Sequence, residues 1–334
     1  MPITSKRAPY LDISRLLAAI FVVLFHISSG TNSFLNLGYL AVDYFFVLSG
    51  YVLFRKIGAI ESTKQTVAFA VYRFKKFFPN TLLSLVFILV LILVTWFFGS
   101  KDAIVWQNVN PLSLVAYVTF LSVFVPTAIA LNYPIWSLSS EFIVNCLAAF
   151  SNKFVIRLKH KEVLYLLPSA LFICTLFLVT PLVEFLQWWI PLIRTASGFS
   201  LGLLLGSLTT KSHTMSKQIY LYLVVALLML SGSASMTAQI GSMAIVLFLA
   251  RIEANPLSFR ENYLVRVSAE LSFLVYMLHI PILSILDILE NKSPLLGTTH
   301  LYILAPIYTL CVLGGSLVIL EARNYISKLA KWHK

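Results

Sequence analysis

LDISRLLAAIFVVLFHISSGTNSFLNLGYLAVDYFFVLSGYVLF, residues 11–54, is two apolar runs joined by a short polar turn. The first run carries Arg15 near its start and His26 near its end, and the second carries Asp43 near its start. Each run is long enough to cross a bilayer as a helix, which takes about 20 apolar residues. Folded antiparallel, the pair brings His26 and Asp43 to similar depth beside the turn. Ionisable groups inside apolar spans are costly, and they are functional candidates by default.

The rest of the chain fits a membrane setting. Of its 334 residues, 59% are hydrophobic and only 11% charged, with a mean hydropathy of +0.88. Soluble domains carry about 25% charged residues. No stretch between apolar runs is long enough for a separate soluble domain of about 50 residues. The expectation is one all-α, polytopic bundle over residues 1–334 with no appended soluble domain. The net charge of +12 does not point to nucleic acid, because the basic residues sit in short loops as orientation signals do. A lipid surface or a phosphorylated partner suits them better. Cys146, Cys174 and Cys311 lie in apolar runs without paired spacing, which argues against a disulfide or metal framework. Lys6 and Arg7 imitate a signal peptide, but Asp12 and Arg15 interrupt the run that follows, so it reads as a retained first helix.

Spans are expected near 11–29, 38–54, 78–98, 136–150, 163–180, 190–208, 218–232, 238–250, 267–289 and 301–322. The run 111–130 either crosses or does not, and charge decides. With a cytoplasmic N-terminus and 111–130 re-entrant or interfacial, all 25 basic residues except Lys101, Lys292 and the intramembrane Arg194 fall on the cytoplasmic side. Counting 111–130 as a crossing would put Lys153, Arg157, Lys159 and Lys161 outside, against the positive-inside bias. The expected topology is ten crossings with both termini cytoplasmic.

In that topology His26, Asp43 and Glu141 reach one layer near the extracytoplasmic side. A carboxylate oriented on an imidazole fixes its tautomer and raises its basicity. The competing reading for His26 is a helix end among lipid headgroups. Arg15 lies eleven residues before His26, three helical turns and about 16 Å along one face. Its plainer role is a snorkelling anchor. Arg73 and Lys76 share a helix face at i, i+3, and with Lys75 they form a basic cluster ahead of Pro79 that suits phosphate groups. Such clusters also simply set topology. Arg194 is too far from either flank to be a loop charge, and it calls for a buried partner. His279 shares a face with Ser272, Tyr276 and Asp287, and its plain reading is a packed core histidine.

As an ordered set these fragments resemble the acyltransferase-3 family of membrane acyltransferases. They are Arg15 and His26 at eleven residues, GYLAVDYFFVLSGY over 38–51, Arg73, Lys76 and Pro79, WSLSSE over 136–141, Arg194, and Ser272, Tyr276 and His279. The resemblance implies transfer of an acetyl group from cytoplasmic acetyl-CoA to a hydroxyl of a surface or lipid-linked glycan, such as O-antigen, lipopolysaccharide or exopolysaccharide, at a bacterial inner membrane. It implies no metal. It gives His26 the catalytic role, with Asp43 and Glu141 beside it. Arg15, Arg73, Lys75 and Lys76 go to the CoA side, and Trp136, Ser137, Arg194, Tyr276 and His279 to the substrate or oxyanion side. Lysines stand at 75 and 76 where arginine is common, which weakens a bidentate phosphate grip. Without a hydrolase-like domain, the chain is similar to stand-alone O-antigen acetylases. The alternative from another class is a proton-coupled secondary transporter of a small anionic or sugar substrate, since His, Asp, Glu and Arg in spans also build proton relays. Transporters often carry internal repeats, and none is evident in this sequence.

Overall fold

The computed structural model describes residues 8–28, 34–97, 108–155, 158, 164–178, 189–210, 234–254, 263–291 and 301–332. Among them every regular element is helical. In chain order they are α1 (Pro9–Ser28), a 3-10 turn (Phe34–Leu40), α2 (Ala41–Gly58), α3 (Thr63–Phe97) and α4 (Pro111–Thr119). A second 3-10 turn (Ser122–Phe124) follows, then α5 (Pro126–Leu131), α6 (Ile135–Val155), α7 (Leu167–Leu178) and α8 (Trp189–Thr210). The last three are α9 (Ala234–Ala254), α10 (Tyr263–Asn291) and α11 (Leu301–Trp332).

Seven of the described helices are long and apolar enough to cross a membrane: Pro9–Ser28, Leu35–Gly58, Thr63–Val94, Trp189–Thr209, Ala234–Ile252, Val265–Leu286 and Leu304–Ile326. Each overlaps an expected span. The region expected at 136–150 does form a helix, α6, but Ser137, Ser139, Ser140, Glu141 and Asn145 make it too polar to join the seven. The span expected at 163–180 is described only in part, as α7, and 218–232 lies outside the described residues.

The run 111–130 is broken rather than continuous. α4 is 9 residues long, about 13 Å against a hydrocarbon core of about 30 Å. Asn110 caps its start by accepting a hydrogen bond from the Ser113 N–H at 2.9 Å. Phe120 ends it in the left-handed region, with φ of 61°. A bulky residue seldom adopts that conformation, and here its surroundings hold it. Its ring is fully buried among Phe74, Phe77 and Phe142, with centroids 5.0–5.9 Å away. The Ser139 hydroxyl donates to the Phe120 carbonyl at 2.6 Å and accepts from the Val123 N–H at 3.2 Å. Backbone groups that a continuous helix would pair internally are satisfied by α6 instead.

The chain packs as two compact units. One comprises Met1–Ala41, Leu83–Lys101 and Leu249–Lys334, and the other Val42–Leu82 and Asp102–Phe248. In the first, α1 runs along α10, which also packs on α11. The 3-10 turn after α1 lies so close to it that a Cβ on Gly38 would sit 2.1 Å from the Phe21 carbonyl oxygen. Ser28 reinforces this corner by donating to Asn36 Oδ1 at 3.0 Å. In the second unit, Leu53 and Ile57 of α2, Phe69 of α3, Val144 and Ala149 of α6, and Phe199 and Leu203 of α8 share a buried cluster. Here α2 and α8 cross backbone to backbone. A Cβ on Gly50 would meet the Phe199 carbonyl oxygen at 1.9 Å, and one on Gly202 the Val47 carbonyl oxygen at 2.0 Å. Only glycine permits that approach.

Candidate functional site

Among the described residues three polar clusters lie inside the apolar helices, one in the first unit and two in the second.

In the second unit Asp43, in the first turn of α2, is completely buried. Arg194 of α8 grips it with both arms of the fork, Nε donating to Oδ1 at 3.1 Å and Nη2 to Oδ2 at 2.7 Å. The Ser235 hydroxyl bridges the two carboxylate oxygens at 2.9 and 3.0 Å, and the Gln239 amide donates to Oδ1 at 3.0 Å. Ser197 extends the network, donating to Gln239 Oε1 at 2.7 Å. Burial of this charge is tolerable because an opposite charge and neutral donors surround it. The Arg194 guanidinium also lies 5.9 Å from the centre of the Trp136 ring, which in turn packs edge-on to Phe46.

The second cluster centres on Glu141 of α6. Its Oε1 accepts from Arg73 Nη2 and from the Ser49 hydroxyl, both at 2.7 Å. Arg73 is 3% exposed and lies over the Phe77 ring at 4.3 Å. One turn beyond Glu141, Asn145 is fully buried, and neither its amide nitrogen nor its oxygen has a hydrogen-bond partner. Ser137 donates to the Pro134 carbonyl at 3.0 Å in the first turn of α6.

The first unit holds the histidines. His26, half-buried in the last turn of α1, has its ring centre 5.0 Å from that of His279 on α10. His279 is fully buried, with Nδ1 2.8 Å from the Tyr276 carbonyl oxygen and Nε2 without a hydrogen-bond partner. The Tyr276 ring centre is 6.0 Å from the His279 ring. Arg15, three turns back along α1, pairs with Asp12 at 2.7 Å.

The acyltransferase-domain profile of the acyltransferase-3 family matches residues 8–321, which takes in all three clusters. The chain belongs to the acyltransferase-3 family. No curated protein and no solved structure matches it at significant similarity. Membership makes it a membrane-embedded acyltransferase, acting between an acyl donor and an acceptor.

Set against the family reading, the structure joins Asp43, Arg194 and Trp136 in one cluster and Glu141 with Arg73 in another. His26, His279 and Tyr276 form the third. The carboxylates do not share a level as expected. Glu141 meets Ser49, six residues and about 9 Å further along α2 than Asp43. Nor is Arg73 a loop cation. It lies ten residues inside α3 and turns inward, whereas Lys75 and Lys76 are exposed. Lys76, expected to share a face with Arg73, stays exposed, while Arg73 is buried against Glu141 of α6. Ser197, Ser235 and Gln239 were not anticipated, and Ser49 only as part of the 38–51 stretch. A glutamine inside an apolar span is the one signal that could have led to this network. Among the described residues no three His, Cys, Asp or Glu side chains gather as a metal group would need.

Proposed function

We propose that this acyltransferase-3 protein is an O-acetyltransferase of the bacterial inner membrane. It moves acetyl from cytoplasmic acetyl-CoA to a hydroxyl of a surface or lipid-linked glycan, of the O-antigen, lipopolysaccharide or exopolysaccharide type. The observation that carries this reading is His26. It is a half-buried imidazole at the far end of a continuous apolar helix whose near end bears Arg15, within a chain of an acyltransferase family. The cations Arg15, Lys75 and Lys76 serve the phosphates of the donor. Arg73 acts through Glu141 and Arg194 through Asp43, each holding a buried carboxylate in place. His26 takes the hydroxyl proton, or is itself transiently acetylated, and the Tyr276 hydroxyl is a candidate partner for the oxyanion. The thioester bond breaks, an ester bond forms, and CoA leaves as the thiol with the proton.

Membranes freed of ion gradients and supplied with labelled acetyl-CoA test this directly. Label should appear on glycan with the intact protein and disappear with His26→Ala at equal protein level. Lys75→Ala with Lys76→Ala should raise KM for acetyl-CoA several-fold and leave kcat nearly unchanged. Full transfer by His26→Ala would overturn the scheme, and transfer that depends on a gradient would favour a transporter.

A further inference from the structure

His279 hydrogen-bonds the backbone of its own helix, and that settles its tautomer. The Tyr276 carbonyl can only accept, so Nδ1, at 2.8 Å from it, carries the proton. In a neutral imidazole Nε2 is then a bare acceptor. It is completely buried and has no hydrogen-bond partner. A buried acceptor left without a donor is costly, so its surroundings call for an explanation. The centre of the His26 ring lies 5.0 Å from the centre of the His279 ring. Two imidazoles joined edge to edge by an N–H···N bond of about 2.9 Å have centres about 5 Å apart. At that separation the two rings are tilted by 40° to one another.

We propose that His279 is the positioning residue for His26, accepting a hydrogen bond from the His26 nitrogen that faces it. This rests on the acyl-transfer reading of His26. The tautomer also excludes His279 as an oxyanion donor, because its only N–H is spent on the backbone. A proton held between the two rings forces the lone pair of His26 onto the opposite nitrogen. As a base, that nitrogen takes the acceptor hydroxyl proton and passes it to the departing thiolate. As a nucleophile, it bonds to the thioester carbon while the C–S bond breaks; the acceptor hydroxyl then displaces it to form the ester, and the hydroxyl proton goes to the thiolate. The inter-ring proton does not leave. The backbone carbonyl of Tyr276 thus supplies, through His279, the orienting function usually given to a carboxylate.

Three variants in membranes test this, with kcat and KM for acetyl-CoA measured separately and the His26 ring nitrogens read by 15N NMR. His279→Phe keeps the bulk and removes the acceptor. Its kcat should fall at least 30-fold with KM within twofold, and the single His26 tautomer should become a mixture. His279→Gln restores an acceptor and should recover at least a third of the lost activity and the single tautomer. Phe and Gln variants that lose activity equally, or an unchanged tautomer in His279→Phe, would overturn the proposal. Should His26→Ala retain transfer, it is the acyl-transfer reading that fails. The tautomer measurement still judges the histidine pair, because it needs no turnover.

Discussion

At the level of single residues, the Asp43–Arg194 pair shows what sequence can and cannot reveal. That Arg194 needs a buried partner follows from its position inside an apolar run. Which partner it takes does not, because 151 positions separate the two and local periodicity carries nothing over that distance. The geometry makes a quantitative expectation. Removing one partner of a buried ion pair leaves an uncompensated charge and costs about 3–5 kcal/mol, whereas removing both charges costs far less. Arg194→Gln should therefore sharply lower the thermal midpoint of the purified protein. Asp43→Asn in the same chain should recover more than half of that loss. A double variant as unstable as the sum of the singles would mean that the pair is not coupled. Glu141 teaches the same lesson from the other side. Its depth was inferred from distance to a helix end, and the Ser49 contact moves it about 9 Å along α2 from Asp43.

Whole elements were more legible than contacts. Length and hydropathy place seven of the expected spans on helices of the described structure, because a membrane imposes a 20-residue apolar period that survives without tertiary information. α6 escapes this signal, since its buried serines and asparagines face other helices rather than lipid. The break at Phe120 was legible only as an ambiguity. The aromatic cluster and the Ser139 hydroxyl that stabilise it come from other elements. Small residues follow Arg194 in the sequence, and the crossing of α2 and α8 uses them. There a Cβ on Gly202 has no room, being 2.0 Å from one backbone oxygen and 2.7 Å from the Tyr51 nitrogen. Neither atom is the end of a flexible side chain, so the helices themselves must part. Gly202→Ala is expected to destabilise the protein by about 1–3 kcal/mol, in the range of overpacked cores. Gly241→Ala, on α9 with nothing within 4 Å of its Cβ, should be neutral or slightly stabilising. Thermal unfolding of the two purified variants in one detergent separates them, and equal midpoints would remove the backbone crossing as a constraint.

For the molecule as a whole, sidedness turns on residues 111–130. If that stretch crossed, α6 would run in the opposite sense and Lys153 would face the outside. The structure divides it into helices of 9 and 6 residues with a left-handed residue between. Neither piece reaches across a hydrocarbon core of about 30 Å at 1.5 Å per residue. The basic residues agree, because Lys153, Arg157, Lys159 and Lys161 would be an unusual group to leave on the extracytoplasmic face. Single cysteines decide the matter once Cys146, Cys174 and Cys311 are replaced by serine. On intact cells, a membrane-impermeant maleimide should label Lys101→Cys. It should reach Lys64→Cys and Lys153→Cys only after the membrane is opened. Labelling of both Lys101→Cys and Lys153→Cys from outside would require a crossing between them besides α6. It would also reverse every later helix, placing Arg251 and Arg323 outside and removing the charge argument on which the proposed direction of acyl transfer depends.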